Sequence, residues 1–191
     1  AAHEPWRLLL SLGALLGAPR KAGALLIDRP AEAFARYDAI SARRDLAILC
    51  GVDAHGLPPY GASFGALRLH LPWTGRWGED PAADAASVRS AIREARTFCS
   101  IPALGDASSF RFDADAERIV ASVDAEGVTL LLFRDGVEVA RGPGPALRLQ
   151  AKPGVWRAEV YVDAPGFPWR ASALWIASSA RRVGSAPAAR R

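Results

Sequence analysis

The spacing of apolar residues changes near residue 106, and that change constrains the fold more than any other feature of this 191-residue sequence. Before it, helix-spaced and continuous apolar runs alternate. Trp6, Leu9, Leu10 and Gly13 are spaced for one face of a helix over residues 5–16. Asp28 offers an N-cap, Pro30 suits a first turn and Glu32 is an early acid. With Phe34, Tyr37 and Ile40, these predict an amphipathic helix over residues 30–43. Residues 46–51 (LAILCG) form a continuous apolar run and read as a strand buried on both faces, as in a parallel sheet. A short strand is expected at 66–71. Asp84 is placed to cap a second helix, with Val88, Ala91, Ile92 and Ala95 on one face and Arg89, Arg93 and Arg96 away from it. Residues 97–101 read as another strand. Strands alternating with helices point to an α/β layer.

Beyond Asp106 the period is two. Phe110 and Phe112 alternate with polar residues, as do Ile119, Ala121 and Val123. Residues 128–134 and 137–141 flank Asp135-Gly136, a strong type I′ hairpin signal. Further strands are expected at 146–150, at 155–162 with Trp156, Ala158, Val160 and Val162 on one face, and at 173–177. About seven short strands in roughly 70 residues suggest an immunoglobulin-like β-sandwich, without the cysteine pair of antibody domains. The expected organisation is therefore residues 1–106 as an α/β part, 107–180 as the sandwich and 181–191 as a basic disordered tail.

Charge supports that division. The net charge is +4, yet Arg181, Arg182, Arg190 and Arg191 lie in the last eleven residues, which hold no acid. Without those four, 20 basic residues face 20 acidic ones. A body so balanced argues against nucleic-acid binding, which calls for a Lys/Arg-rich face. No stretch approaches the ~18 apolar residues of a membrane span. Cys50 and Cys99 are too few for a disulfide framework and both lie in apolar runs, so they read as buried free thiols. There is no Met, so residue 1 is not a translation start. The compartment is left open.

Few residues are placed to carry chemistry. Gly51-Val52-Asp53-Ala54-His55-Gly56 follows the apolar run directly. In a loop or at a strand end, Asp53 and His55 can converge on one point, and an oxygen with an imidazole nitrogen suits Zn, Mn or Fe. The alternative is an Asp capping the next segment beside a structural His. Gly61-Ala62-Ser63-Phe64-Gly65 matches the nucleophile-elbow pattern of serine hydrolases. It lacks the strand–turn–helix setting, and no acid lies between Ser63 and His70. His70 reads as structural. Trp73, Trp77 and Trp169 sit in loop-like stretches, either plugging a join between domains or forming a binding surface.

The GVDAHG stretch resembles the last metal-binding motif of the PHP (polymerase and histidinol phosphatase) superfamily, with Val52 where Ser or Ala is usual. Residues 29–44 resemble the helix before it. Residues 91–98 (AIREARTF) resemble a helix-to-strand junction of that family, with Ala95 in place of the usual Gly. Phe133-Arg134-Asp135-Gly136, residues 153–160 and Trp175-Ile176-Ala177-Ser178 are similar to the C-terminal sandwich of its carbaryl-hydrolase-like branch, although the final Asn-Pro is replaced by Ser179-Ala180. The resemblance implies the C-terminal part of a distorted (β/α)7 barrel followed by the sandwich. It makes Asp53 and His55 ligands of a divalent metal cluster that activates water for phosphoester hydrolysis. The upstream ligands are absent, so the chain is expected to be the C-terminal segment of a longer hydrolase. Its partners would be the missing barrel half and a small phosphoester substrate, and alone it would bind metal weakly or not at all. The alternative is a non-catalytic accessory or binding protein in which the β-sandwich is the working module, with contacts around the tryptophans.

Overall fold

The computed structural model describes residues 9, 13, 27–52, 60–73, 77–163 and 172–184. Among the described residues two helices exceed ten residues, α1 (Ala31–Ser41) and α3 (Pro81–Arg93), and a short α2 (Tyr60–Phe64) lies between them. Ten strands follow the chain: β1 (Arg68–His70), β2 (Phe98–Ser100), β3 (Arg111–Ala114), β4 (Arg118–Ser122), β5 (Val128–Arg134), β6 (Val137–Pro143), β7 (Ala146–Gln150), β8 (Gly154–Asp163), β9 (Ser172–Ser178) and β10 (Arg181–Val183). Seven form one open sheet in the order β1-β2-β9-β8-β5-β6, with β10 also on β8; the other three form β3-β4-β7.

Every strand pairing among the described residues is antiparallel. A (β/α)7 barrel needs parallel strands joined by crossover helices and closed on themselves. The expected barrel with an appended immunoglobulin-like sandwich is therefore corrected to two open antiparallel sheets. β1 and β2, expected in the α/β part, extend the sheet built by the C-terminal strands. β2 pairs with β9, Cys99 opposite Ala177. The PHP and phosphoesterase reading loses the architecture it rested on.

The two sheets meet face to face. Phe110, Ile119 and Ala121 on the small-sheet side pack against Leu130, Leu132, Trp156, Ala158, Val160 and Trp175 from the large sheet. Period-two alternation accounts for this, because it gives each strand one apolar face. The β5–β6 turn has φ of 53° at Asp135 and 81° at Gly136, the positive values a type I′ turn requires.

The run 46–50 is not a strand. Leu49 is 58% exposed. Side chains, rather than a ladder, satisfy its backbone: Tyr37 donates to Leu46 O (2.7 Å), Thr97 Oγ1 donates to Ile48 O (2.7 Å), and Ile48 N donates to Ser179 Oγ (2.8 Å). Cys50 is joined to Cys99 by a disulfide with Cα atoms 6.0 Å apart, so the expected free thiols are corrected to a bridge. It fastens this segment to β2.

Helix starts also differ from expectation. Pro30, not Asp28, holds the N-cap position of α1. Asp80 rather than Asp84 caps α3, accepting from Ala82 N (2.9 Å) and Ala83 N (3.1 Å), because Pro81 fits the first helical position. Asp84 instead accepts from Gly78 N at 2.7 Å. Arg181–Val183, assigned to the tail by sequence, form β10 against Gly154–Trp156. No helix among the described residues is long and apolar enough to cross a membrane.

Candidate functional site

Asp53 and His55, the expected metal ligands, lie outside the described residues, as does Trp169. Among the described residues, no group of three or more His, Cys, Asp or Glu side chains is placed to hold a metal. The Asp53–His55 pair falls short of the three or four protein ligands of a tight zinc site. Ser63 lies within α2, ahead of β1, and not at a strand-to-helix elbow. His70 Nε2 is 2.8 Å from Ser100 Oγ, and its ring stacks on Phe98 with centroids 4.2 Å apart. Burial and the nearby Arg68 charge push its pKa down, so the imidazole is neutral at pH 7.

One buried acid and one buried base, Glu159 and Arg157, stand out on the outer face of the large sheet. Glu159 is fully buried and accepts from Arg29, Arg157 and Tyr161. A general acid needs a carboxyl raised toward neutrality. Burial does raise that of Glu159, but the hydrogen bonds and charges of the two arginines outweigh it and the net shift is downward. The cluster is structural.

The site with unspent chemistry is a cavity of about 640 Å3 where the end of β1, the α3–β2 junction, β3 and β10 meet. Its lining includes the aromatic rings of Trp73, Phe98, Phe110 and Phe112. Phe98 and Phe110 meet edge to face at 4.9 Å. Trp73 in turn packs edge-on against Trp77, centroids 4.8 Å apart, and Trp77 is 69% exposed. The Trp73 indole Nε1 is buried and has no hydrogen-bond partner among the described residues, an arrangement that costs roughly 1–3 kcal/mol unless something accepts from it.

The lining is also cationic, with Arg96, Arg111 and Arg181. Arg96 is presented by the turn that ends α3. Ala95 takes φ of 51°, its N–H bonding Ile92 O (3.1 Å), and Arg96 N bonds Ala91 O (2.8 Å). That is a Schellman closure with alanine where glycine is favoured. Arg96 Nε lies 2.7 Å from Glu94 Oε2. Arg181 reaches in from β10 and donates to Glu94 O at 3.0 Å. Its pKa is pushed down by burial and by the like charge of Arg96, with Asp113 and Glu94 offsetting part of this. Arg111 donates to Ser108 O (2.8 Å) and Phe110 O (2.7 Å).

A second cavity of about 450 Å3 lies between α1, residues 47–50 and β9. Leu67, Ile101, Leu174, Trp175 and the disulfide make it almost wholly apolar, with no comparable set of donors.

No protein-family model, curated protein or solved structure matches the chain. Sequence reasoning singled out Trp73 but missed the three arginines. They come from positions 96, 111 and 181 on three separate elements, and no local spacing links them.

Proposed function

We propose that this protein is a non-catalytic binding module that takes a small molecule in the cavity lined by Trp73, Phe98 and Phe110. The observation that carries this is the Trp73 indole N–H, buried in the cavity wall without a partner among the described residues. Buried donors are normally satisfied, and a concave site with an aromatic wall and a few convergent polar groups is the usual form of a ligand pocket. His70 lines the cavity and bonds Ser100, but the Ser100 side chain is buried at 3% exposure and is not part of the lining, so the pair presents no nucleophile there.

The test is nitrogen-edited NMR of the tryptophan indole N–H groups during titration with 2-naphthamide and, separately, 2-naphthoate. The Trp73 resonance, assigned by its loss in Trp73→Phe, is expected to move saturably with at least one of them. If neither probe moves it up to its solubility limit, the binding reading is wrong. Turnover of p-nitrophenyl phosphate that disappears in His55→Ala would return the chain to the hydrolases.

A further inference from the structure

We infer that the cavity selects an aromatic monocarboxylate, its carboxylate held by Arg96 and Arg181 and its ring laid against Trp73. This rests on the binding-module reading and adds the ligand's class. Three observations carry it.

First, two guanidinium groups are brought together at some cost. Arg181 is partly buried and feels the like charge of Arg96. Arginine stays protonated throughout the working pH range, and Glu94 and Asp113 offset only part of the burial and repulsion felt by Arg181, so a further anion is favoured there. Each guanidinium carries five N–H donors. Among the described residues Arg181 uses one nitrogen, on Glu94 O, and Arg96 pairs through Nε with Glu94. Edges of both forks are left for an oxyanion, and a planar fork matches a carboxylate in two-pronged fashion.

Second, the local charge is that of a site for a monoanion. Arg96, Arg111 and Arg181 face Asp113 within the lining and Glu94 beside it, which leaves one positive charge over. The His70 imidazole is neutral and adds none. A phosphate dianion would leave the site overcompensated.

Third, the lining also holds the aromatic rings of Trp73, Phe98, Phe110 and Phe112. These rings give apolar contact to an aromatic ligand, and the Trp73 N–H is a donor with no partner among the described residues. A short aliphatic acid would leave those rings wet.

The experiment measures affinities of 2-naphthoate, its neutral isostere 2-naphthamide, 2-naphthyl phosphate and acetate for the whole protein, by the Trp73 indole shift. Naphthoate is expected to bind at least tenfold more tightly than naphthamide and more tightly than naphthyl phosphate, with acetate too weak to measure. Arg96→Gln is expected to erase most of the naphthoate preference while leaving naphthamide affinity unchanged. Because Arg181 also bonds the end of α3, Arg181→Lys is the second variant: it keeps the charge, loses the fork and should weaken naphthoate several-fold at an unchanged melting temperature. Equal binding of naphthoate and naphthamide overturns the carboxylate inference while the binding-module reading stands. Tighter naphthyl phosphate overturns the monoanion choice. Failure of every probe removes the binding reading itself.

Discussion

Arg157 and Glu159 stand two residues apart on β8 and share the face of the sheet that α1 covers, at 2% and 0% side-chain exposure. They are paired with each other, and Asp38 on α1 holds Arg157 through Nε at 2.7 Å and Nη2 at 3.0 Å. Arg29 grips Glu159 with Nη2 at 2.7 Å. The Arg157 guanidinium also lies over the Phe133 and Phe34 rings, 4.0 and 4.8 Å from their centroids. Two cations and two anions thus fasten α1 to the sheet without a net buried charge. Removing one partner strands the rest. Glu159→Gln is expected to destabilise the protein by about 3–5 kcal/mol, read as a shifted urea midpoint at constant slope. A loss under about 1 kcal/mol, the size of an exposed pair, would contradict the burial of this cluster.

The same carboxylate sets the acid limb of stability. The two arginines outweigh burial and hold the Glu159 pKa below its ordinary value. The unfolded chain therefore binds its proton at higher pH than the folded chain does. The stabilisation is complete at neutral pH and is lost as pH falls below the ordinary glutamate range and through the folded pKa. Glu94, Asp106, Asp115 and Glu138 are shifted the same way but are solvent-exposed, so screening leaves them little weight. Unfolding free energies between pH 7 and pH 3 should fall steeply in the wild type and much less in Glu159→Gln. Parallel curves would assign the acid limb to other groups.

The Cys50–Cys99 bridge closes a sequence separation of 49 residues around α2, β1 and α3. On the chain-entropy account a loop of this length contributes about 4 kcal/mol by restricting the unfolded chain. A non-reducing peptide map should contain the linked Cys50 and Cys99 peptides. Adding a phosphine reductant should lower the denaturation midpoint, and the Cys50→Ser, Cys99→Ser double variant should show the lowered midpoint with no further response to reductant. Two titratable thiols in native protein prepared under oxidising conditions would remove the bridge from this account.

Legibility in the sequence followed how local the determining interactions are. β3 to β9 were readable because period-two alternation and the Asp135-Gly136 turn act within a few residues. The run at 46–50 misled because continuous apolar residues state neither direction nor partner. Its backbone partners, Thr97 and Ser179, lie far along the chain. β1 and β2 were legible as short strands, yet their antiparallel place beside β9 was not, and the barrel expectation grew from that gap. At the candidate site, Trp73 was visible as an aromatic in a loop-like stretch. The sequence puts Arg96 on the outward face of a helix and Arg181 in a tail, since only the folded chain brings them together.

The arginines of β10 make a last prediction, against the sequence expectation that residues 181–191 are a disordered tail. Arg182 Nη2 donates to Ser41 O (2.7 Å) and its Nη1 to Ala42 O (3.4 Å), at the C-terminal end of α1. Arg181 donates to Glu94 O at the corresponding end of α3. Helix C-termini present unpaired carbonyls and partial negative charge, so a cation there satisfies both. Val183, buried at 5% exposure, anchors the strand in the core between the sheets. Arg182→Ala is expected to cost about 1–2 kcal/mol, the range for a charge-assisted bond at a helix end. A chain stopped after Ala180 loses both arginines and the Val183 contact, and burial of that valine alone is worth roughly 1.5–3 kcal/mol. Its denaturation midpoint should fall well below that of Arg182→Ala, and amide exchange at the C-terminal turns of α1 and α3 should accelerate together. Unchanged exchange at both helix ends in the shortened chain would show that β10 does not hold them.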